Sequence, residues 1–268
     1  MVASSSTFVA SSGEGYELQM GRWSRRLAEP FLDFCGCRDG EVILDAGCGT
    51  GALTAAILRR TNTTRISGID FSPAYVEHAR QTIPDARAQF GVGDICALPQ
   101  EGGSFDRVLS LLVLHFVPQS DKAIAELRRV ARPGATVGAA VWDSGGLVAY
   151  RIFFDTAGAL FPDNDQRGRN FTRPMTRPGE LAKAWSAAGF SDVRDTMMTI
   201  RMEFASFDDY WMPYEGKDGP GAQYMATLNS DQKEGLRNAV RVAYLGGEAD
   251  GPRSYAATAW AVSGTVPA

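Results

Sequence analysis

The stretch Val42-Ile43-Leu44-Asp45-Ala46-Gly47-Cys48-Gly49-Thr50-Gly51 decides the fold. An apolar run rich in β-formers enters three glycines spaced two apart, the pattern of a buried strand running into a tight turn. Glycine lets the backbone turn sharply and lets a ligand lie against the main chain where a Cβ would otherwise stand. The amphipathic segment that follows, with Leu53, Ala56, Ile57 and Arg60, reads as a helix whose first N–H groups are unpaired and face the turn. The spacing is G-x-G-x-G. Dinucleotide folds use G-x-G-x-x-G, in which the third glycine permits close packing over a pyrophosphate. Asp45 would repel a pyrophosphate but suits an ammonium group, so the loop favours an aminoacyl ligand over NAD. By itself such a loop is weak evidence, the lesser alternative being a tight turn that binds nothing.

Two further acids recur at strand ends. Gly68-Ile69-Asp70-Phe71-Ser72 closes a second apolar run, and Gly91-Val92-Gly93-Asp94-Ile95-Cys96 closes a third. A carboxylate at Asp70 can accept both hydroxyls of a ribose through charge-assisted bonds and would repel a 2′-phosphate; otherwise it is a strand-end acid capping the next helix. Phe71 offers an apolar wall to an adenine or a core side chain. Asp94 can accept an adenine amino group beside the Ile95 backbone, or it is a surface turn. Three acids at successive strand ends are harder to dismiss together than singly.

The surrounding pattern is that of parallel βαβ units. Candidate strands are Val42–Asp45, Arg65–Asp70, Ala88–Val92, Arg107–Ser110 and Thr136–Trp142. Ser72-Pro73 reads as an N-cap followed by proline at the first helical position. Arg132-Pro133-Gly134 ends the helix that carries Ile124, Leu127 and Val130. Upstream, Trp23, Leu27, Phe31 and Phe34 are spaced along one face of an entry helix. Downstream, Val193–Phe204 and Ser254–Val262 alternate as strands would, with helical, aromatic segments between them.

Taken in order, V-I-L-D-A-G-C-G-T-G, G-I-D-F-S, G-D-I-C-A-L-P and S-F-D-R-V-L-S-L-L-V-L-H-F-V-P resemble the motif set of class I S-adenosylmethionine-dependent methyltransferases, most of all the broad group related to ubiquinone and menaquinone biosynthesis enzymes. The resemblance covers roughly residues 40 to 142. It implies an α/β fold, a Rossmann-like doubly wound sheet of seven strands with the last antiparallel, Val193–Phe204 and Ser254–Val262 forming the closing hairpin. It also implies S-adenosyl-L-methionine as cofactor and S-adenosyl-L-homocysteine as product. Asp45, Gly47 and Gly49 would hold the methionine end, Asp70 the ribose diol, and Asp94 with Ile95 the adenine. Ser110 and Leu111 would lie near the methionine moiety. In such relatives the segment before the first strand often covers the cofactor, which makes Tyr16 and Arg22 candidates for its carboxylate; Arg22 equally suits a solvated helix face.

Methyl transfer from a sulfonium is an in-line displacement, so alignment and exclusion of water can supply much of the rate. A base is needed only where the nucleophile must lose a proton. His115 and Asp143 are the candidates, weighed against a packed core histidine and a turn-capping aspartate; His78 reads as a surface residue.

The chain has 268 residues, 44% of them hydrophobic, and a net charge of -4. That balance disfavours nucleic acid, whose ligands usually show a basic excess. No apolar run approaches the ~20 residues of a membrane helix. Cys35 and Cys37 have no second ligand pair for a structural zinc site, and the four cysteines read as reduced, which suggests a cytoplasmic protein. We expect residues 1–15 to be flexible and 16–268 to form a single domain. In it, 16–40 is a helical cover, 41–143 binds the cofactor, and 144–175 with 206–251 caps a small apolar or aromatic acceptor. Tyr210, Trp211, Met212, Tyr214, Tyr224 and Met225 would line that lid or form its core. Rival readings are a protein or nucleic-acid methyltransferase, a cofactor-binding module without turnover, and a dinucleotide oxidoreductase.

Overall fold

The computed structural model describes residues 6–8, 11–167 and 173–268. Its chain begins with helix α1 (Gly13–Tyr16), a π-turn over Glu17–Gly21 and helix α2 (Arg22–Cys35). Then come β1 (Val42–Ala46), α3 (Ala52–Arg60), β2 (Arg65–Asp70), α4 (Pro73–Thr82), β3 (Ala88–Val92) and β4 (Phe105–Leu111). Helix α5 (Ser120–Val130) leads to β5 (Ala131–Leu147), α6 (Val148–Leu160), α7 (Glu180–Ala187) and β6 (Ser191–Phe204). The cap helices α8 (Phe207–Trp211), α9 (Gly219–Ala226) and α10 (Ser230–Leu245) precede the last strand, β7 (Arg253–Thr265).

The sheet order is β3-β2-β1-β4-β5-β7-β6. β1 pairs in parallel with both β2 and β4, while β7 runs antiparallel to β5 and β6. The chain therefore winds outward from β1 to β3, returns to the other side of β1, and winds outward again. This reversal leaves a crevice outside the carboxyl ends of β1 and β4, the place where open α/β sheets bind ligands.

Alternation along the apolar strands supplies both faces of the core. Ile43, Leu109 and Ala140 join one cluster with Leu27, Phe31 and Ile57. Leu44, Val108 and Val137 join the other with Ile124, Leu127 and Trp185. At the opposite end of the sheet from the crevice, Arg107 is held by Glu41 at 2.7 and 2.9 Å and donates to the Cys35 carbonyl at 2.6 Å. Local signals act as read: the Ser72 hydroxyl accepts from the Tyr75 N–H, with Pro73 opening the helix, and α5 stops at Val130 before Gly134 turns at φ +80°.

Two expectations need correction. β5 extends beyond Thr136–Trp142 because β7 supplies pairing as far as Leu147, with an irregularity between Trp142 and Leu147. Such a bulge re-aims side chains, here around Asp143. Residues 6–8 and 11–15, expected to be flexible, pack against the body: the Thr7 N–H donates to the Phe116 carbonyl at 2.8 Å, and Ser11 donates to buried Asp218 through its N–H and its hydroxyl. Residues 1–5 and 9–10 of that segment lie outside the described residues, as do 168–172 of the first cap segment.

In the cap, the aromatic residues take the second of the two roles read for them. Tyr210, Trp211, Tyr214, Tyr224 and Met225 are buried in the core cluster, and Phe153 of α6 stacks on Tyr214 at 4.1 Å. Met212 is exposed. These residues hold the cap together, and the segment contributes Pro220 to the main cavity wall. Among the described residues no helix is long and apolar enough to cross a membrane.

Candidate active site

A cavity of about 1230 Å³, measured out to its mouth, follows the carboxyl ends of the strands. Asp94 and Ile95 reach it from the end of β3, Asp70 and Phe71 from β2, and Gly47 and Gly49 from β1. Leu111, Leu112 and His115 reach it from β4, and Trp142 and Asp143 from β5. Leu147 at the end of β5, with Tyr150 and Phe154 of α6, adds an apolar wall. Since strands lie ~4.8 Å apart, the sheet order separates the acid-bearing β3–β2 side from the apolar β5 side by several strand spacings.

On the acid side, Asp70 is held by two backbone donors, Ser72 N–H on Oδ1 and Gly49 N–H on Oδ2, each at 2.9 Å. Each oxygen keeps a lone pair for a ligand, so the carboxylate can accept a vicinal diol. Burial pushes its pKa up to about 6 against the lowering effect of those two bonds. Gly49 has φ +54°, and a Cβ there would meet only the edge of the Tyr16 ring, at 4.0 Å, so it would project into open cavity. At Gly47 a Cβ would lie 2.3 Å from Val113, so that glycine serves packing of the loop. Asp94 accepts the Cys96 N–H at 2.8 Å.

Tyr16 lines the cavity, its hydroxyl bonded to Ser24 at 3.1 Å, and burial pushes its pKa up to about 12. Phe8 packs on Phe116, with ring centroids 4.9 Å apart, and closes the wall on that side. His115 is 4% exposed, and its Nδ1 is buried without a hydrogen-bond partner. Burial, and secondarily the Arg173 charge, lower its pKa to about 3. The imidazole is therefore neutral near pH 7 and a poor acceptor of a full proton. Asp143 lines the cavity while its Oδ1 accepts the Trp260 indole N–H at 2.9 Å.

Three expected site residues stand elsewhere. Arg22 does not line the cavity: its guanidinium pairs with Asp209 at 3.0 Å and lies 4.3 Å from the Trp23 ring centroid, because the π-turn before α2 rotates it toward the cap. Ser110 is fully buried and donates to the Ala46 carbonyl at 2.8 Å, tying β4 to β1. Asp45 sits beneath the glycine loop, its Oδ2 accepting the Thr54 N–H at 3.1 Å and hydroxyl at 2.7 Å. Burial pushes it up to about 7, and its Oδ1 has no partner.

Several wall residues carry no sequence motif. Gln19 donates to the Tyr150 hydroxyl at 2.8 Å and leaves its own Oε1 buried and unpaired. Tyr75, in the first turn after Pro73, reaches Asp218 at 3.3 Å. Its position two residues past the helix start was a usable signal; Phe8, Gln19, Tyr150 and Arg173 had none.

Residues 43–134 match the family described as a methyltransferase domain. The chain is 37% identical over 105 residues to 2-methyl-6-phytyl-1,4-hydroquinone methyltransferase of Synechocystis, covering 39% of this chain and 33% of that protein. It is 34% identical over 113 residues to malonyl-[acyl-carrier protein] O-methyltransferase of Serratia marcescens, covering 42% and 43%. The alignments thus span less than half of these curated relatives. Among solved structures, phosphoethanolamine N-methyltransferase 2 of Haemonchus contortus, in complex with S-adenosyl-L-methionine, superposes with a TM-score of 0.60. That match has 17% identity and covers 96% of this chain and 57% of that one, a likeness of fold.

Proposed function

The chain belongs to the class I S-adenosylmethionine-dependent methyltransferases, and from that premise we propose that it methylates a small molecule with an apolar or aromatic body. One observation carries the reading: a single cavity joins the acid-bearing ends of β2 and β3 to the wall made by Trp142, Leu147, Tyr150 and Phe154. Ligand sites of this kind are mostly apolar with a few placed polar groups.

The residues present fit the cofactor. Asp70 offers two acceptor oxygens to a ribose diol, Asp94 and Ile95 with Phe71 offer an edge and a wall to adenine, and the open face of Gly49 leaves the main chain approachable. Gly47, Leu111 and Tyr16 would border the methionine end, with Asp45 acting from beneath the loop. When bound, the cofactor supplies a methyl group on a sulfonium leaving group. The chain's own contribution is alignment and exclusion of water. Tyr150, Phe154 and Trp142 orient a flat acceptor, and Phe8, Tyr16 and Phe116 shut the cavity from bulk solvent. His115, held neutral, serves as a hydrogen-bonding positioner, and Asp143 is the acid placed on the acceptor side. This division favours proximity over general-base chemistry as the source of rate.

The free thiols of Cys35, Cys37, Cys48 and Cys96 support a cytoplasmic setting. The test is a radiolabelled methyl-transfer screen against aromatic and acyl small molecules, run beside tRNA and bulk protein substrates. Transfer to a small molecule supports the reading, and transfer only to a macromolecule refutes it. Tight S-adenosylhomocysteine binding with no transfer to any acceptor leaves a binding module instead.

A further inference from the structure

Two spaces meet at one pair of side chains. A small apolar pocket lies behind the main cavity, and among the described residues Gln19 and Tyr150 are the ones that line both. They are bonded to each other, the Gln19 Nε2 donating to the Tyr150 hydroxyl at 2.8 Å. The pair therefore forms the partition. Gln19 comes to it from the π-turn of the helical cover and Tyr150 from the first turn of α6.

The pocket behind the pair offers carbon rather than polar groups. Trp23, Met202, Phe204, Tyr210 and Tyr214 line it. Its tyrosine hydroxyls are already used: Tyr214 donates to the Tyr210 hydroxyl at 3.4 Å, and Tyr210 to the Ala149 carbonyl at 2.9 Å. The Gln19 amide is seated without slack. Gln19 is 5% exposed, and a Cβ on Gly219 would stand 1.7 Å from its Nε2, so the cap presses on it at a position (φ +78°) that favours glycine. Its Oε1 is buried with no partner, which leaves the bond to Tyr150 as the single hydrogen bond of this side chain among the described residues. One substitution at Gln19 thus removes both the bulk of the partition and the bond that pins Tyr150.

We propose that Gln19, held by Tyr150, is the specificity-determining stop of the acceptor site: it ends the space open to the apolar body and keeps that body out of the pocket lined by Trp23, Met202 and Phe204. The acceptor is then a compact apolar or aromatic molecule without a long alkyl tail. The inference rests on reading the apolar wall of the main cavity as the acceptor side. Apolar affinity grows about fourfold with each methylene buried while the cavity has room. An overlong group must instead displace packed side chains. A stop therefore shows itself as a break in a chain-length series, and a general change in affinity is not its sign.

The test uses the full chain saturated with S-adenosylhomocysteine and titrated with 4-methylphenol, 4-ethylphenol and the straight-chain members up to 4-hexylphenol. In the wild type affinity should rise by about fourfold per carbon and then level off or fall within the series. In Gln19→Ala the rise should continue for about two more carbons, so that the longest members bind roughly 10-fold more tightly than they do to the wild type. Gln19→Leu keeps the bulk and loses the bond to Tyr150, and its break should stand where the wild type's does. An unbroken rise to 4-hexylphenol in the wild type overturns the proposal. So does a break that Gln19→Ala leaves in place, a uniform loss of affinity across the series, or a Gln19→Leu variant that behaves as Gln19→Ala. Gln19→Ser opens the same space and replaces Gln19→Ala if thermal melts show that variant unfolded; the wild-type break is read in either case. Failure of the wild type to bind S-adenosylhomocysteine, seen before any phenol is added, defeats the methyl-transfer reading itself. Binding of S-adenosylhomocysteine with no phenol bound up to its solubility defeats the apolar acceptor site and the stop with it.

Discussion

On the proposed reading Asp70 orients the cofactor, and its replacement by alanine is the direct test. The carboxylate has one backbone N–H on each oxygen, from Ser72 and Gly49, both at 2.9 Å. Each oxygen therefore has one direction left, matched to one hydroxyl of a ribose diol. Charge-assisted bonds of this type contribute about 1.5–3 kcal/mol each. Alanine leaves room for water to take over part of the bonding to the diol, so the net loss is about 1.4–2.7 kcal/mol, or 10–100-fold in Kd. Asparagine keeps the shape but must turn its amide N–H₂ toward either the Gly49 or the Ser72 N–H, so it should lose a similar amount. The assay is calorimetric titration of S-adenosylhomocysteine into wild type, Asp70→Ala and Asp70→Asn at pH 7.5, with circular dichroism to confirm folding and NAD as a control ligand. A folded Asp70→Ala variant with Kd within about threefold of wild type would refute the assignment. Tight NAD binding would refute the reading of the glycine loop.

Further outcomes follow from the same geometry. Gly49→Ala should fold, with about 1 kcal/mol of left-handed strain, yet lose S-adenosylhomocysteine affinity by roughly 100-fold or more because its Cβ occupies the cavity; retained affinity in the titration would contradict the placement. Arg22→Ala should leave that affinity within about twofold and lower stability by about 1 kcal/mol through loss of the partly exposed Asp209 pair and the Trp23 contact, a shift visible in thermal melts. Glu41→Gln should cost about 3 kcal/mol in urea unfolding, because it leaves the Arg107 charge buried and uncompensated. On the proposed reading Asp70 binds as the anion, and burial pushes its pKa up to about 6, so S-adenosylhomocysteine affinity should be flat above pH 7 and fall as pH drops below 6. The same raised pKa makes the folded chain hold a proton that the unfolded chain has released between roughly pH 4 and 6. The wild type should therefore gain stability relative to Asp70→Asn as pH falls through that window, and a constant difference in melting temperature would refute the shift.

The positions of the motif residues were legible in the sequence because they are set locally. A glycine loop between strand and helix, an acid at a strand end and an N-cap before proline are each set by neighbours a few residues away. Asp70, Asp94, Ile95, Gly49 and Leu111 accordingly stand where the motifs placed them, along one cavity. The alternation of apolar runs with helices pointed to parallel βαβ units, while the strand order itself is seen only in the structure. The family resemblance added the antiparallel hairpin, which β6 and β7 form.

Arg22, Ser110 and the cap aromatics show where that reach ends. Arg22 turns away because a π-turn at Glu17–Gly21 shifts the helix face, and Asp209 lies 187 positions along the chain. Ser110 finds the Ala46 carbonyl 64 residues away, and Tyr214 finds Phe153. Arg173 joins Phe116, and Tyr224 is left with an unpaired hydroxyl. The sequence by itself determined the sheet and its acid-bearing edge, because hydrophobic periodicity and backbone turns are short-range constraints. Only the tertiary structure decided which side chains complete the acceptor side, because those contacts arise when elements distant in the chain bury their faces against one another.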